Sequence, residues 1–189
     1  MNDFVEGMLA YTRIGRERVI ETDVPLATVL QGIREVLSPP PTVKWIVPDP
    51  APVVRGTPEY LYQVFQNLLD NAVRHLPQQT GRVEVGCRRL ESAWEFWVTD
   101  NGPGIPRRYQ DKLFQVFQKL PAAAGTQGTG LGLALVKRII DSRGGTIRLE
   151  SDSGRGTTVR FVWPDQPVGV GDSPPKASLA PGDSLFPQL

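Results

Sequence analysis

The stretch 57–77, TPEYLYQVFQNLLDNAVRHLP, constrains this chain more than any other. Thr57 is a good helix N-cap, Pro58 suits the first helical position, and Pro77 cannot continue a helix. At ~100° per residue, Leu61, Phe65, Leu68, Leu69 and Ala72 share an arc of roughly 100°. Asn67, Asn71 and Arg74 fall on a separate stripe about 60° wide. A helix this one-sided has to bury its apolar arc against another layer. Asparagine is a mediocre helix former, so two of them one turn apart, with an arginine beyond, need a reason. Two readings stand at this point: a solvated helix face, or a site for phosphate and a hard metal ion. An amide oxygen suits Mg²⁺, which keeps most of its waters and leans on substrate phosphates, and arginine supplies the opposite charge.

The rest of the chain predicts the layer this helix packs on. Phe4, Met8, Tyr11 and Ile14, widened by Val5 and Leu9, predict a helix over 2–17, and Leu26, Val29, Leu30, Ile33 and Leu37 a second over 25–37, stopped by SPPPT. Short strands are expected at 43–47 and 52–56. Val83, Val85 and Cys87 alternate along one strand, and Trp94, Phe96 and Val98 along the next, so Asp100 ends its strand facing the same side. Residues 106–120 read as a short helix, 121–128 as a loop, and 132–143 as an amphipathic helix closed by Gly144 and Gly145. Residues 145–151 and 156–163 form a hairpin around DSGRG. From Pro164 onward Pro, Gly and Ser dominate, which predicts a disordered tail. The fold class is α+β: a two-layer sandwich with a mixed or antiparallel sheet and helices on one face. Its divisions are 1–20, 21–164 and 165–189.

Bulk properties exclude some classes of function. With 21 basic and 20 acidic residues among 189, the net charge is +1, and no charge block suits nucleic acid or an anionic membrane. No apolar run approaches the ~20 residues that span a bilayer, and the start lacks the basic-then-apolar order of a secretory signal. The single cysteine, Cys87, cannot form an internal disulfide, which fits a reducing cytoplasm.

Three further motifs follow the asparagine helix. DNGPGI, 100–105, places a carboxylate at a strand end, followed by glycines that let ligand and backbone approach closely; alone it also reads as a turn. GTGLGLALVK, 128–137, sets three glycines before a helix whose free N–H groups can face an anion. It is neither a Walker A loop nor a dinucleotide fingerprint. GRGTT, 154–158, opens the last strand and alone is a hairpin turn.

In this order and spacing, Asn-x-x-x-Asn, Asp-x-Gly-x-Gly-Ile, Gly-Thr-Gly-Leu-Gly-Leu and Gly-x-Gly-Thr resemble the ATP-binding domain of sensor histidine kinases over roughly residues 25–163. These are Bergerat-fold ATPases, with gyrase, mismatch-repair ATPases and a major heat-shock chaperone. The resemblance implies ATP and Mg²⁺ as cofactors, with Asn71 the metal ligand, Asn67 beside it, Arg74 on the phosphates and His75 near ribose and phosphates. Asp100 would accept from the adenine amino group, directly and through water, with Gly102, Gly104 and Ile105 shaping the adenine floor. Phe114 and Phe117 match the family's phenylalanine box. Lys119 stands where the family usually has an arginine that touches the γ-phosphate. The run Gly128, Thr129, Gly130, Leu131, Gly132 and Leu133 closes the phosphate side, Thr157 joins the water network at adenine, and 106–127 form the ATP lid.

Two departures from the family pattern bear on activity. Where the ATP-hydrolysing relatives and the anti-sigma-factor kinases have a glutamate four residues before the metal asparagine, this chain has Asn67, a poor general base. Rapid hydrolysis is therefore not expected, and a site that holds ATP for an incoming imidazole fits better. The one histidine, His75, lies on the nucleotide helix and is followed by Leu76 rather than the acidic residue that follows the family's acceptor, so no catalytic acceptor histidine is present. Residues 1–20 look like the end of a dimerization helix and its linker, in the style of phytochrome-like sensor kinases; the helix could equally pack on its own domain. The expectation is a cytoplasmic catalytic domain lacking its sensor and acceptor helix. Its partners would be a histidine-bearing dimerization domain or full-length kinase, a downstream response regulator, and a second copy through the N-terminal helix. An anti-sigma-type serine kinase and a non-catalytic nucleotide-binding module are the alternatives.

Overall fold

The computed structural model describes residues 8–9, 11–14, 20–110, 112–116 and 130–167. Strand β1 (Thr22–Pro25) leads directly into helix α1 (Leu26–Leu37), and β2 (Val43–Ile46) and β3 (Val53–Gly56) precede the long helix α2 (Pro58–Arg74). Then come β4 (Gly81–Arg89), β5 (Ala93–Asp100), the single turn α3 (Arg107–Gln110), helix α4 (Gly132–Ser142), β6 (Ile147–Ser151) and β7 (Thr157–Pro164). Five strands form one sheet in the order β2-β4-β5-β7-β6, parallel only between β2 and β4. β1 and β3 form a separate antiparallel ribbon.

The α+β two-layer architecture read from the sequence is the one observed. α2 lays Leu61, Phe65 and Leu69 on the sheet, flanked by Leu30 and Ile33 of α1 and Ile139 and Ile140 of α4. Phe65 sits edge-on to Phe96 and Phe161, with centroids 5.5 Å from each. Each such fully buried side chain contributes about 1.5–3 kcal/mol of burial. The opposite sheet face is polar: Glu95 is held there by Arg88 at 2.7 Å and Arg148 at 3.2 Å.

The structure differs from the sequence-based reading at four places. Thr57 occupies the N-cap position, and its carbonyl accepts the N–H of Leu61, but its hydroxyl makes no cap bond and is buried without a partner. β1 was not expected: four residues, TDVP, are too few to show a period, and they are extended because they pair with β3. Of the helix expected over 106–120, the described residues show one turn, Arg107–Gln110, and turns over 112–116, while 111 and 117–120 lie outside the described residues. Gln110 spends its amide on the Ile105 and Ser151 carbonyls, so tertiary bonds override helix propensity there. Asp165 does not begin a detached tail: its N–H donates to the Ser92 carbonyl at 3.0 Å, and its carboxylate takes both arms of Arg89 at 2.6 and 2.7 Å. That pairing holds the Asp165 carboxyl below the usual range. Ile14 of the entry segment is buried in the domain's own core, and Tyr11 packs on that core under the Arg138 guanidinium, which accords with the alternative that this segment packs on its own domain. The remainder of the expected first helix, the 121–128 loop and residues 168–189 lie outside the described residues.

Candidate nucleotide-binding site

Strand register builds one end of the site. Asp100 of β5 pairs with Thr157 of β7, which pairs with Ser151 of β6. These three end the rows that carry Val98, Val159 and Leu149, so the core-facing side of the sheet finishes in a polar rung. The Asp100 carboxylate is half-buried; burial raises its pKa, and the N–H groups of Gly102 and Thr157, then His75, oppose that rise. The Gly102 N–H donates to Oδ1 at 2.8 Å. A half-buried carboxylate poised this way accepts donors and repels acceptors.

Two glycines lock the motif loops together. Gly104 has φ +69° and Gly156 φ +83°, the left-handed region that favours glycine. A Cβ on Gly104 would lie 2.0 Å from the Asp152 carbonyl oxygen, and one on Gly156 2.0 Å from that of Asp100. The Gly154 N–H donates to Pro103 O at 2.7 Å. DNGPGI and GRGTT, more than fifty residues apart, thus form one double loop. Ile105 hangs from it, its N–H donating to Ser151 Oγ at 2.8 Å. The floor is closed from below by α2's end: a Cβ on Gly102 would lie 3.1 Å from the His75 carbonyl oxygen.

The other end of the site is the polar stripe of α2 against the start of α4. Asn67 donates its amide N–H to the Gln63 carbonyl at 2.7 Å, and its Oδ1 would be 2.7 Å from a Cβ on Gly132. The glycine at the helix start is what lets α4 approach the asparagine. A glutamate at 67 would set acceptor against acceptor at Gln63, so the local geometry suits the amide. Asn71 lies one turn on, its carbonyl taking the His75 N–H at 3.2 Å. Leu131 is buried and caps α4 through its carbonyl to the Leu135 N–H at 2.8 Å, with Gly130 before it and Leu133 partly buried on the core. Arg74 is turned to its own helix, pairing with Asp70 at 2.5 Å. Phe114 is half-buried beside buried Leu113. Phe117, Lys119, Gly128 and Thr129 lie outside the described residues.

The sequence-read residues Asp100, Gly102, Gly104, Ile105, Thr157 and His75 therefore meet at one end, and Asn67 and Gly132 at the other, joined by α2. Sequence reasoning missed Ser151, Gln110 and Asp70. Ser151 had a signal: in IRLES it continues the phase of Ile147 and Leu149, a hydroxyl where a core residue belongs. No motif residue lines the open groove of about 720 Å³ between β1, α1 and the first turns of α2.

The family described as histidine kinase-, DNA gyrase B- and HSP90-like ATPase matches residues 56–167, which hold every one of these motifs. The chain belongs to this family. Among its relatives, cyanobacterial phytochrome A of Nostoc sp. (strain PCC 7120) is 34% identical over 168 residues, spanning 87% of this chain and 22% of that protein. The circadian input-output histidine kinase CikA of Synechococcus elongatus is 42% identical over 116 residues, 60% of this chain and 15% of that protein. The chain thus spans about a fifth or less of these relatives. Full-length ShkA in complex with AMPPNP superposes with a TM-score of 0.71 at 25% identity, covering 88% of this chain and 36% of that one. The catalytic domain of histidine kinase ThkA superposes at 0.67 and 23% identity over 79% of this chain and all of that domain, showing the shared Bergerat fold. The chain is an ATP-binding catalytic domain of the sensor histidine kinase type.

Among the described residues, no cluster of three His, Cys, Asp or Glu side chains could hold a metal by itself. The donor set nevertheless fits Mg²⁺ that arrives with nucleotide, since such an ion needs one or two protein oxygens besides phosphates and water. No helix among the described residues is long and apolar enough to cross a membrane.

Proposed function

We propose that this domain binds Mg-ATP between the Asp100 rung and the α2–α4 seam and presents the γ-phosphate to a histidine on a separate acceptor domain. The observation that carries the reading is the joining of a half-buried carboxylate at a strand end to the asparagine stripe of α2 through the Gly102–His75 contact. Asp100 accepts from the adenine amino group, and Gly102, Gly104 and Ile105 form the floor under the ring. Asn71, with Asn67 beside it, holds Mg²⁺, which when bound neutralises charge on the phosphates. Gly130–Leu133 at the head of α4 offer N–H groups to the same phosphates, and Gly128 and Thr129 belong to the same glycine run. Arg74 and Lys119 supply positive charge, Arg74 by exchanging Asp70 for phosphate.

An imidazole needs no protein base to attack, because its neutral ring nitrogen carries a lone pair. The nitrogen bonds to the γ-phosphorus as the bridging oxygen leaves with ADP. The amide at position 67 therefore suits transfer to histidine, whereas a serine hydroxyl or water would call for a base. The acceptor domain, or a full-length kinase carrying it, works in trans, with a response regulator downstream, in the cytoplasm. Any pairing of two copies through the N-terminal helix uses faces other than those of Tyr11 and Ile14, which pack on their own domain. Residues 21–164 are the catalytic unit, and 1–20 the linker from a dimerization helix.

The test is label transfer from γ-labelled ATP to a separately supplied acceptor domain. Acid-labile, base-stable label on the acceptor histidine is expected. A folded protein that transfers none, or that yields acid-stable phosphoserine, refutes the reading.

A further inference from the structure

We infer that Ser151 is a specificity-determining residue of this site: it fixes the Thr157 hydroxyl as a hydrogen-bond acceptor, making the adenine end acceptor-only, while Gln110 holds the loop beneath. The inference rests on the nucleotide reading above and deepens it.

It follows from counting protons. A serine hydroxyl has one proton to give and two lone pairs. Ser151 Oγ lies 2.8 Å from the Gly156 carbonyl oxygen, which cannot donate, so the proton goes there. One lone pair receives the Ile105 N–H at 2.8 Å. The third neighbour is Thr157 Oγ1 at 3.0 Å. With its proton committed to Gly156, Ser151 can only accept in that contact, so Thr157 donates to it. Thr157 is then left with lone pairs alone for a ligand or water, next to the Asp100 carboxylate, which also only accepts. Two acceptors side by side match an exocyclic amino group, which has two N–H bonds to give, and oppose an oxo group at the same position.

Gln110 has a different task. Its Nε2 donates to the Ile105 carbonyl and to the Ser151 carbonyl, each at 2.7 Å. Ile105 is thereby pinned at both its N–H and its C=O, the first by Ser151 and the second by Gln110. Removing Gln110 loosens the floor but leaves every proton assignment in place.

Calorimetry of the whole chain with ADP and with IDP, which carries an oxo group where ADP carries an amino group, separates the two roles. Wild type prefers ADP. Ser151→Ala frees the Thr157 hydroxyl to turn and donate, and lowers the ADP/IDP preference about fivefold, the worth of one ordinary hydrogen bond. Ser151→Thr keeps a hydroxyl and restores the preference. Gln110→Ala weakens both nucleotides alike and leaves the ratio unchanged. Should Ser151→Ala fail to fold, Thr157→Val removes the same acceptor and must lower the same ratio. An unchanged ratio in folded Ser151→Ala or Thr157→Val, with wild type binding ADP, overturns this inference alone. A wild type that binds neither nucleotide overturns the nucleotide reading with it.

Discussion

Gly154 and Gly156 provide a matched pair for testing how the double loop is held. Both have a left-handed φ, +81° and +83°. A Cβ on Gly154 would meet nothing within 4 Å, while one on Gly156 would lie 2.0 Å from the Asp100 carbonyl oxygen and 3.0 Å from the Asn101 Cα. Alanine at either position pays roughly 1–2 kcal/mol for the left-handed conformation. A smaller unfolded ensemble offsets about 0.5 kcal/mol of that. At 156 the obstacle is backbone, which cannot swing aside, so an overpacking cost of about 1–3 kcal/mol adds. Gly154→Ala should therefore destabilise by about 1 kcal/mol and Gly156→Ala by about 3 kcal/mol. At 2–4 °C per kcal/mol for a chain of this size, the melting points fall by about 3 °C and about 9 °C. Because Gly156→Ala pushes on the carbonyl of Asp100, it should also weaken ADP binding, and Gly154→Ala should not. Thermal melts and calorimetry on the two variants decide the matter. Equal destabilisation, or equal affinity, would show that the close approach of the two loops is not what shapes the site.

Other consequences can be checked alongside. Asn71→Ala should lower ATP affinity about tenfold or more in Mg²⁺, as expected for losing a contact to a charged group, and change little in EDTA. Asp100 has a raised pKa because of burial, so the fold favours its neutral form. The resulting stabilisation is present below the ordinary carboxylate pKa and is lost as pH rises through the raised value. Asp100→Asn should abolish that pH dependence in denaturation curves of the nucleotide-free protein and, in calorimetry, lose adenine nucleotide binding. Arg143, 3% exposed, pairs with Glu21, donates to Pro164 O at 2.9 Å and stacks on Trp163 at 4.3 Å. Glu21→Ala strands that charge and should cost about 3 kcal/mol in urea denaturation, the low end for a buried pair because Glu21 is partly exposed.

What could be read from the sequence was what local rules encode. Thr57, Pro58 and Pro77 bound α2, and its apolar arc told which side meets the sheet. The alternation through Trp94, Phe96 and Val98 told which way Asp100 faces. What escaped depends on pairs distant in the chain. β1 exists because residues 22–25 meet residues 53–56. Among the described residues of 106–116, helix is limited to one turn because Gln110 reaches Ser151, forty-one positions away. Asp165 belongs to the domain because Arg89 holds it. Arg74 was legible as a cation on the right stripe, but its pairing with Asp70 is one of several options that helix spacing permits. Thr57 was placed correctly as the N-cap, but that its hydroxyl is buried and makes no cap bond depends on tertiary packing.

The most direct test of the site is a crystal structure with a non-hydrolysable ATP analogue and Mg²⁺. The adenine amino group should lie within hydrogen-bond distance of the Asp100 carboxylate, with the triphosphate running past Asn67 and a metal-bound Asn71 oxygen toward the head of α4. Nucleotide seated instead in the groove beside β1 and the first turns of α1 and α2, with Asp100 and Asn71 untouched, would contradict the account.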